Sequence, residues 1–227
     1  MKHVGKFRAH INSAGLLLKK LELLETDNIH VDYSEVDIGL LRPLPYYELF
    51  KHYASSRLFD FKLTDQALFQ FNLVSDTDIR YCYYQAPFDV PTYKEYVASQ
   101  LGDSVTLLEE AGDAFYDDYE LLIDTAQLRQ AVSPIRYDYS PDQYEEGVHP
   151  AAHIHVGVGN DIRLCTRRRM LPTSFVLFVL RQIYPDHWRR FLRHQNAHTL
   201  CRAVREGLEP VDDAYLQTLD HLQLVLD

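Results

Sequence analysis

The side chains best suited to chemistry are concentrated in one stretch of the chain. Arg136 and Asp138 come first, and His149, His153 and His155 follow. The segments 135–139 and 152–156 both have the pattern of β-strands, in which residues two apart share a face. We therefore expect Arg136 and Asp138 on one face of the first strand, and His153 and His155 on one face of the second.

Whether these side chains meet depends on how the two strands pair. One register would gather Arg136, Asp138, His153 and His155 into a single polar cluster, and the other would separate them. His149 directly precedes Pro150 and would lie at the mouth of the second strand.

Such a cluster suits a metal-free acid–base reaction on a phosphodiester. One histidine would be the general base and another the general acid, with His149 as an auxiliary group. Arg136 would stabilise the charge on the phosphoryl group, and Asp138 would hold an imidazole in one tautomer. A ribonuclease can work in this way because the RNA 2′-hydroxyl supplies the nucleophile. This interpretation requires no cofactor.

The same residues could instead hold a divalent metal ion. Two imidazoles two residues apart on a strand can converge on one ion with bonds of about 2.1 Å. His149 or Asp138 would then complete the ligand set of His153 and His155, leaving a position for water. A third interpretation assigns the cluster no chemistry and makes Arg136–Asp138 an ordinary ion pair.

A second candidate region is rich in arginine. Residues 161–206 contain ten Arg and only three acidic residues. Arginine clusters can bind a phosphate backbone, so this half of the chain is a candidate RNA-binding surface; a solvated face with internal ion pairs is the alternative. The candidate contacts are Arg163, Arg167, Arg168, Arg169, Arg189, Arg190 and Arg193.

The segment 103–124, called here the acidic segment, is a candidate surface for a protein partner. It contains eight acidic residues and neither Lys nor Arg, in a chain of net charge −10. The alternative is that it faces the arginine-rich half within the fold. No apolar run approaches the roughly 20 residues that cross a bilayer, so we expect no membrane contact and a cytoplasmic protein with three reduced cysteines.

The order of patterns predicts an α+β fold in a single domain spanning 1–227. The N-terminal part (1–60) should be helical, with a first helix at 12–25 capped by Asn12 or Ser13. The middle (61–165) should form a mostly antiparallel sheet, with a helix over the acidic stretch 106–126. The arginine-rich part (170–227) should again be helical, including helices at 187–205 and 213–226.

Four segments together resemble a bacterial family known as domain of unknown function 2290, over about residues 15–195. They are Asp-Ile-Arg-Tyr-Cys-Tyr-Tyr-Gln-Ala-Pro at 78–87, Arg-Tyr-Asp-Tyr at 136–139, His-Pro-Ala-Ala-His-Ile-His at 149–155, and the run from Pro172 to Trp188. This resemblance implies no activity.

A shorter stretch is similar to the TumE-like toxins of toxin–antitoxin pairs, at Arg136, Asp138, His153 and His155. That resemblance implies activity on RNA or DNA in an antiphage defence or toxin–antitoxin setting. This chain departs from the toxin pattern because it has His-Pro-x-x-His-x-His and is much longer.

These observations favour a nuclease-like, phosphodiester-cleaving protein that acts on RNA. Two alternatives stay open: a non-catalytic binding or regulatory subunit of a multiprotein defence complex, and a metal-dependent hydrolase acting on a small molecule.

Overall fold

A computed structural model describes residues 2–28, 31, 33, 41, 43–75, 78–102, 105–159, 162–222 and 225–226. It confirms the α+β class, because helices surround a central and mostly antiparallel sheet. Asp103 of the acidic segment lies outside the described residues.

The sheet has eight described strands, arranged side by side in chain order. Neighbours from β1 to β7 are antiparallel, whereas β8 runs parallel to β7. The strands are β1 (Leu24–Asp27), β2 (Phe61–Leu63), β3 (Leu68–Ser75), β4 (Asp78–Tyr84), β5 (Ile135–Tyr139), β6 (Ala152–Val156), β7 (Ile162–Thr166) and β8 (Val225–Leu226).

The described helices precede, interrupt and follow the strands. They are α1 (Lys2–Lys20), α2 (Tyr46–Ser55), α3 (Tyr93–Leu101), α4 (Val105–Ala111), α5 (Tyr116–Asp124), α6 (Pro172–Ile183), α7 (Pro185–Leu192) and α8 (Ala197–Glu206). Proline opens α6 and α7, where its missing N–H costs no hydrogen bond. Among the described residues, no helix combines the length and apolarity needed to traverse a membrane.

The prediction for the first helix was wrong at both ends. The helix begins at Lys2, so Asn12 and Ser13 lie inside it, and the Ser13 hydroxyl donates to the Ala9 carbonyl. It ends at Lys20 because Glu22 takes a left-handed conformation (φ 58°) that turns the chain into β1. The N-terminal part is therefore not purely helical.

Three other predicted helices also differ from the structure. The helix over 106–126 is divided into α4 and α5 at Gly112, whose φ is 47°. The helix over 187–205 is divided into α7 and α8. The described residues of 213–226 form two short 3₁₀ turns (Asp213–Tyr215 and Asp220–Leu222) and then β8. The middle part contains α3 in addition to the predicted helix.

One side chain attaches the last segment to the rest of the fold. The buried Asp220 carboxylate accepts hydrogen bonds from the Tyr144 hydroxyl (2.7 Å) and from the backbone N–H groups of Gly147 and Gln217 (2.9 Å each). These bonds tie the C-terminal segment to the loop between β5 and β6. Burial raises the pKa of Asp220, but these bonds outweigh it and the pKa is lowered overall.

The two faces of the sheet are chemically different. One face carries aromatic rings, including Tyr81, Tyr137 and Phe71, and is covered by α1 and α6. Phe175 of α6 packs against Tyr81 with ring centroids 5.8 Å apart. Because side chains alternate along a strand, the intervening residues of β4 to β7 point to the opposite face.

Asp60, next to β2, is a buried carboxyl group outside the predicted cluster. Its Oδ2 accepts hydrogen bonds from the Tyr33 hydroxyl and the Phe71 N–H, both at 2.7 Å. Burial raises its pKa from 3.8 to about 6 despite these bonds.

We predict that Asp60→Asn removes the loss of stability that the wild type undergoes as pH rises toward 6. The folded state keeps Asp60 protonated between pH 3.8 and about 6, so the wild type loses stability as pH rises through this range. An asparagine oxygen can accept both hydrogen bonds without ionising. The difference in free energy of unfolding between the variant and the wild type should therefore shift in favour of the variant by up to about 3 kcal/mol from pH 4 to pH 7. Urea unfolding at several pH values measures this difference; parallel pH profiles for the two proteins would contradict it.

Candidate functional site

The register of β5 and β6 is the one that gathers the predicted residues. Arg136 lies opposite His155, and Asp138 lies opposite His153. The pairing continues into β4 and β7, producing two rows of side chains across one face of the sheet. One row is Asn72, Arg80, Asp138, His153 and Cys165, and the other is Gln70, Cys82, Arg136, His155 and Arg163.

Asp138 is held between two arginines. Arg136 Nε donates to its Oδ2 at 2.7 Å, and Arg80 Nε donates to its Oδ1 at 3.0 Å. Burial raises the pKa of Asp138, but the two guanidinium groups outweigh burial and the pKa is lowered overall. Asp138 is therefore a charged carboxylate in an almost fully buried position.

The two imidazoles contact each other through their Nε2 atoms, which are 2.9 Å apart. His153 Nδ1 lies 2.7 Å from the Pro150 carbonyl oxygen, which can only accept, so Nδ1 carries a proton. In the neutral ring Nε2 is then a bare acceptor, and His155 Nε2 donates to it. Burial and the neighbouring His155 lower the pKa of His153 to about 4, which keeps that ring neutral at pH 7.

These three residues, called here the Asp–His–His cluster, converge on one small volume. Asp138 Oδ2 is 3.8 Å from His153 Nε2 and 3.6 Å from His155 Nε2. One ligand atom from each residue lies within 4.8 Å of the other two, a spacing compatible with a single ion. The cluster can therefore take up a proton or hold a metal.

His149 lies beside the cluster rather than in it. Its ring packs edge-on against His153, with centroids 4.9 Å apart. Its Nδ1 is buried and has no hydrogen-bond partner within the described part of the chain. Burial and the nearby Arg163 lower the pKa of His149. The loop that carries it is the one tied down by Asp220.

The two arginines are more exposed than the histidines of the cluster. His153 is 1% exposed and His155 is 3% exposed. The side chains of Arg80 and Arg136 are 37% and 30% exposed. An incoming anion would therefore meet the guanidinium groups first.

Sequence reasoning missed Arg80. It belongs to β4, inside the region 61–165 predicted to form the sheet, but nothing in the sequence states that β4 pairs with β5 in the register Arg80↔Asp138. The signal was present in the alternation of that strand, where Arg80 shares a face with Cys82 and opposes the aromatic Tyr81.

The structure divides the seven candidate RNA contacts into three groups. Arg163 lies opposite His155, on the face of the cluster. The run 167–169 is attached to the C-terminal segment: Arg167 contacts His221, Arg168 donates to the Leu208 carbonyl, and Arg169 pairs with Glu209.

The third group, Arg189, Arg190 and Arg193, lies in the helical layer on the other side of the sheet. Phe191 of the same helix, α7, belongs to the core formed with the aromatic face. Arg189 pairs with Asp186, and Arg190 pairs with Glu22 and donates to the Leu21 carbonyl. These arginines are therefore not neighbours of the cluster. Within the described part of the chain, the ion pairs of Arg189 and Arg190 are not with the acidic segment, whose Asp124 pairs with Lys51.

We predict that Asp138→Ala is strongly destabilising in metal-free buffer, by about 3 kcal/mol, because it leaves two guanidinium groups without their partner. Arg80→Ala should cost only about 1 kcal/mol, since Arg80 is partly exposed and Arg136 still pairs with Asp138. Urea unfolding of both variants measures the two losses. Equal losses would show that the carboxylate does not organise the arginines.

Comparison with known proteins gives one match. Residues 19–210 match a family described as Uncharacterized conserved protein (DUF2290). Searches of curated proteins and of solved structures returned no match, so the similarity to TumE-like toxins stays a prediction. The matched region includes β1 to β7, the whole Asp–His–His cluster and both arginines that flank Asp138. The chain therefore belongs to the DUF2290 family.

Proposed function

We propose that this protein cleaves phosphodiester bonds, with RNA as its substrate, and that the Asp–His–His cluster with Arg80 and Arg136 is the active centre. The observation that carries the proposal is the convergence of two imidazole Nε2 atoms and one carboxylate oxygen beneath two partly exposed guanidinium groups. The cellular setting that we propose, a defence or toxin–antitoxin type system, rests on sequence resemblance alone.

The arginines would bind the scissile phosphate. Each uses Nε on Asp138, which leaves its outer N–H groups available for a phosphoryl oxygen. Arg163, opposite His155 in the neighbouring strand, adds a third positive charge on the same face. Positive groups placed where charge develops stabilise a phosphoryl transition state.

The cluster would activate the nucleophile. Its carboxylate oxygen can accept a proton, as can the unprotonated Nε2 of His153 once the hydrogen bond from His155 Nε2 opens. A bound ion could instead acidify a hydroxyl group. The arrangement does not suit a separate acid and base on opposite sides of the phosphate, because the two Nε2 atoms are only 2.9 Å apart. This is a change from the paired acid–base mechanism expected from the sequence.

RNA is the substrate whose cleavage requires the fewest catalytic groups in such a centre. Its 2′-hydroxyl lies next to the phosphate, so the enzyme needs only to remove one proton and stabilise charge. DNA would require a separately positioned water molecule. Cleavage of RNA with a 2′,3′-cyclic phosphate product would support the internal nucleophile.

We predict that His153→Ala and His155→Ala each lower the cleavage rate of a labelled single-stranded RNA by at least about 100-fold. The assay compares RNA with DNA of the same sequence, in EDTA and with Mg²⁺, Mn²⁺ or Zn²⁺ added. His198→Ala is the matched control, since His198 is an exposed histidine of α8 in the helical layer and its variant should retain full activity. Unchanged cleavage by both cluster variants would remove the cluster from the mechanism.

A second candidate function is protein binding through the acidic segment. Helices α4 and α5 expose Leu107 and Leu121 among acidic side chains, a combination typical of a surface that a basic partner covers. A preparation that cleaves neither RNA nor DNA under any of these conditions, but binds a protein partner that Leu121→Glu releases, would favour the regulatory-subunit interpretation.

A further inference from the structure

We propose that the Asp–His–His cluster binds one divalent transition-metal ion of the zinc class, through His153 Nε2, His155 Nε2 and Asp138 Oδ2. This deepens the proposed function by naming its cofactor. The binding of the ion can be tested without any substrate.

The distances between the three ligand atoms are the first argument. A tetrahedral ion with bonds of about 2.1 Å separates its ligand atoms by roughly 3.4 Å. The three separations here are 2.9, 3.6 and 3.8 Å, so the atoms already form one face of such a tetrahedron. Side-chain shifts of a few tenths of an ångström would complete the fit.

The contacts around the ligands are the second argument. A metal-binding histidine commonly donates its other ring N–H to a carbonyl or carboxylate, which fixes the tautomer and the ring orientation. His153 has this arrangement, with Nδ1 donating to Pro150 O at 2.7 Å and Nε2 turned to the cluster. Asp138 is oriented in the same way by Arg80 and Arg136.

The arginines leave the carboxylate able to bind an ion. An ionised carboxylate offers about four lone-pair positions, and the two Nε donors occupy one on each oxygen. A second lone pair of Oδ2 therefore stays available for the metal.

Binding requires one proton to move. In the metal-free cluster, His155 Nε2 carries the proton that lies between the two imidazoles. The ion takes the place of that proton, which moves to His155 Nδ1, so that both rings bind as neutral imidazoles. No proton is released overall and no oxidant or reductant is needed.

The ligand types select the class of metal. Two imidazole nitrogens and one carboxylate suit zinc and its first-row neighbours, whereas Mg²⁺ and Ca²⁺ prefer oxygen ligands. Three protein ligands leave a fourth position for water or a substrate oxygen, as in catalytic zinc sites. The ion and the flanking arginines together carry excess positive charge, which favours an anionic ligand such as a phosphoryl oxygen.

The test uses the full-length protein and metal alone. After removal of metals, the protein is incubated with Zn²⁺, freed of unbound ion by gel filtration and analysed for bound zinc. We expect one tightly bound zinc per chain and a rise in melting temperature of roughly 5–10 °C at about 100 times the Kd. Mg²⁺ at the same concentration should leave the melting temperature unchanged.

Variants assign the ion to the cluster. His155→Ala and Asp138→Ala should each lose this zinc, while His198→Ala should retain it. Retention of the zinc by both cluster variants, or no bound zinc in the wild type, overturns the proposal.

Co²⁺ provides a measurement that depends on no variant. Intense visible absorption from tetrahedral Co²⁺ in the wild type, abolished by competing Zn²⁺, supports the site, and its absence counts against it. Zinc binding without RNA cleavage would refute the proposed nuclease activity and leave the metal site intact. RNA cleavage by protein shown to be metal-free would support the nuclease activity and refute a metal cofactor for it.

Discussion

The pairing of β5 with β6 is the constraint on which the candidate site depends. Because side chains alternate along a strand, the register fixes two things for each residue. It determines the face of the sheet on which the residue lies and the residue that it faces on the neighbouring strand. The observed register sets Asp138 opposite His153 and Arg136 opposite His155. It is maintained by the aromatic face, where Tyr137 and Ile154 are fully buried; a slip by one residue would expose them and bury charge against the helices.

Burial gives these polar groups their particular character. In water, an aspartate flanked by two arginines and two histidines would be an unremarkable set of solvated charges. In the sheet, Asp138 stays ionised because Arg136 and Arg80 donate to both of its oxygens, and His153 stays neutral because burial disfavours its charged form. The cluster thus combines a fixed negative charge with an uncharged imidazole nitrogen that offers a lone pair. Both features favour the binding of a metal cation or a proton.

The C-terminal segment contributes to the site indirectly. It pairs with β7 through β8, and Asp220 ties it to the loop that carries His149. The run 167–169, which resembles a nucleic-acid surface in sequence, is occupied in part by contacts to this segment. That the remaining exposed arginines bind RNA stays a prediction.

Much of the architecture could be predicted from local patterns, and the remainder depends on contacts distant in sequence. The sheet region 61–165 was predicted from alternation, and the strand predicted at 135–139 coincides with β5, since one face of that strand is apolar or aromatic. The same alternation predicted which residues of β5 and β6 share a face. It could not choose between the two registers, identify Arg80 as the second partner of Asp138, or show that Asp220 ties the C-terminal segment to the loop between β5 and β6.

The most direct measurement is the protonation pattern of the two cluster imidazoles, read by ¹H–¹⁵N NMR of the ring nitrogens in the presence of a chelator. We expect His153 to carry its proton on Nδ1 and to have an unprotonated Nε2 that accepts a hydrogen bond from His155. This pattern should persist down to about pH 5 because that ring resists protonation. If both rings instead carried their proton on Nε2 in exchange with water and titrated near pH 6.5, as solvated histidines do, the imidazoles would not converge and the candidate centre would not exist.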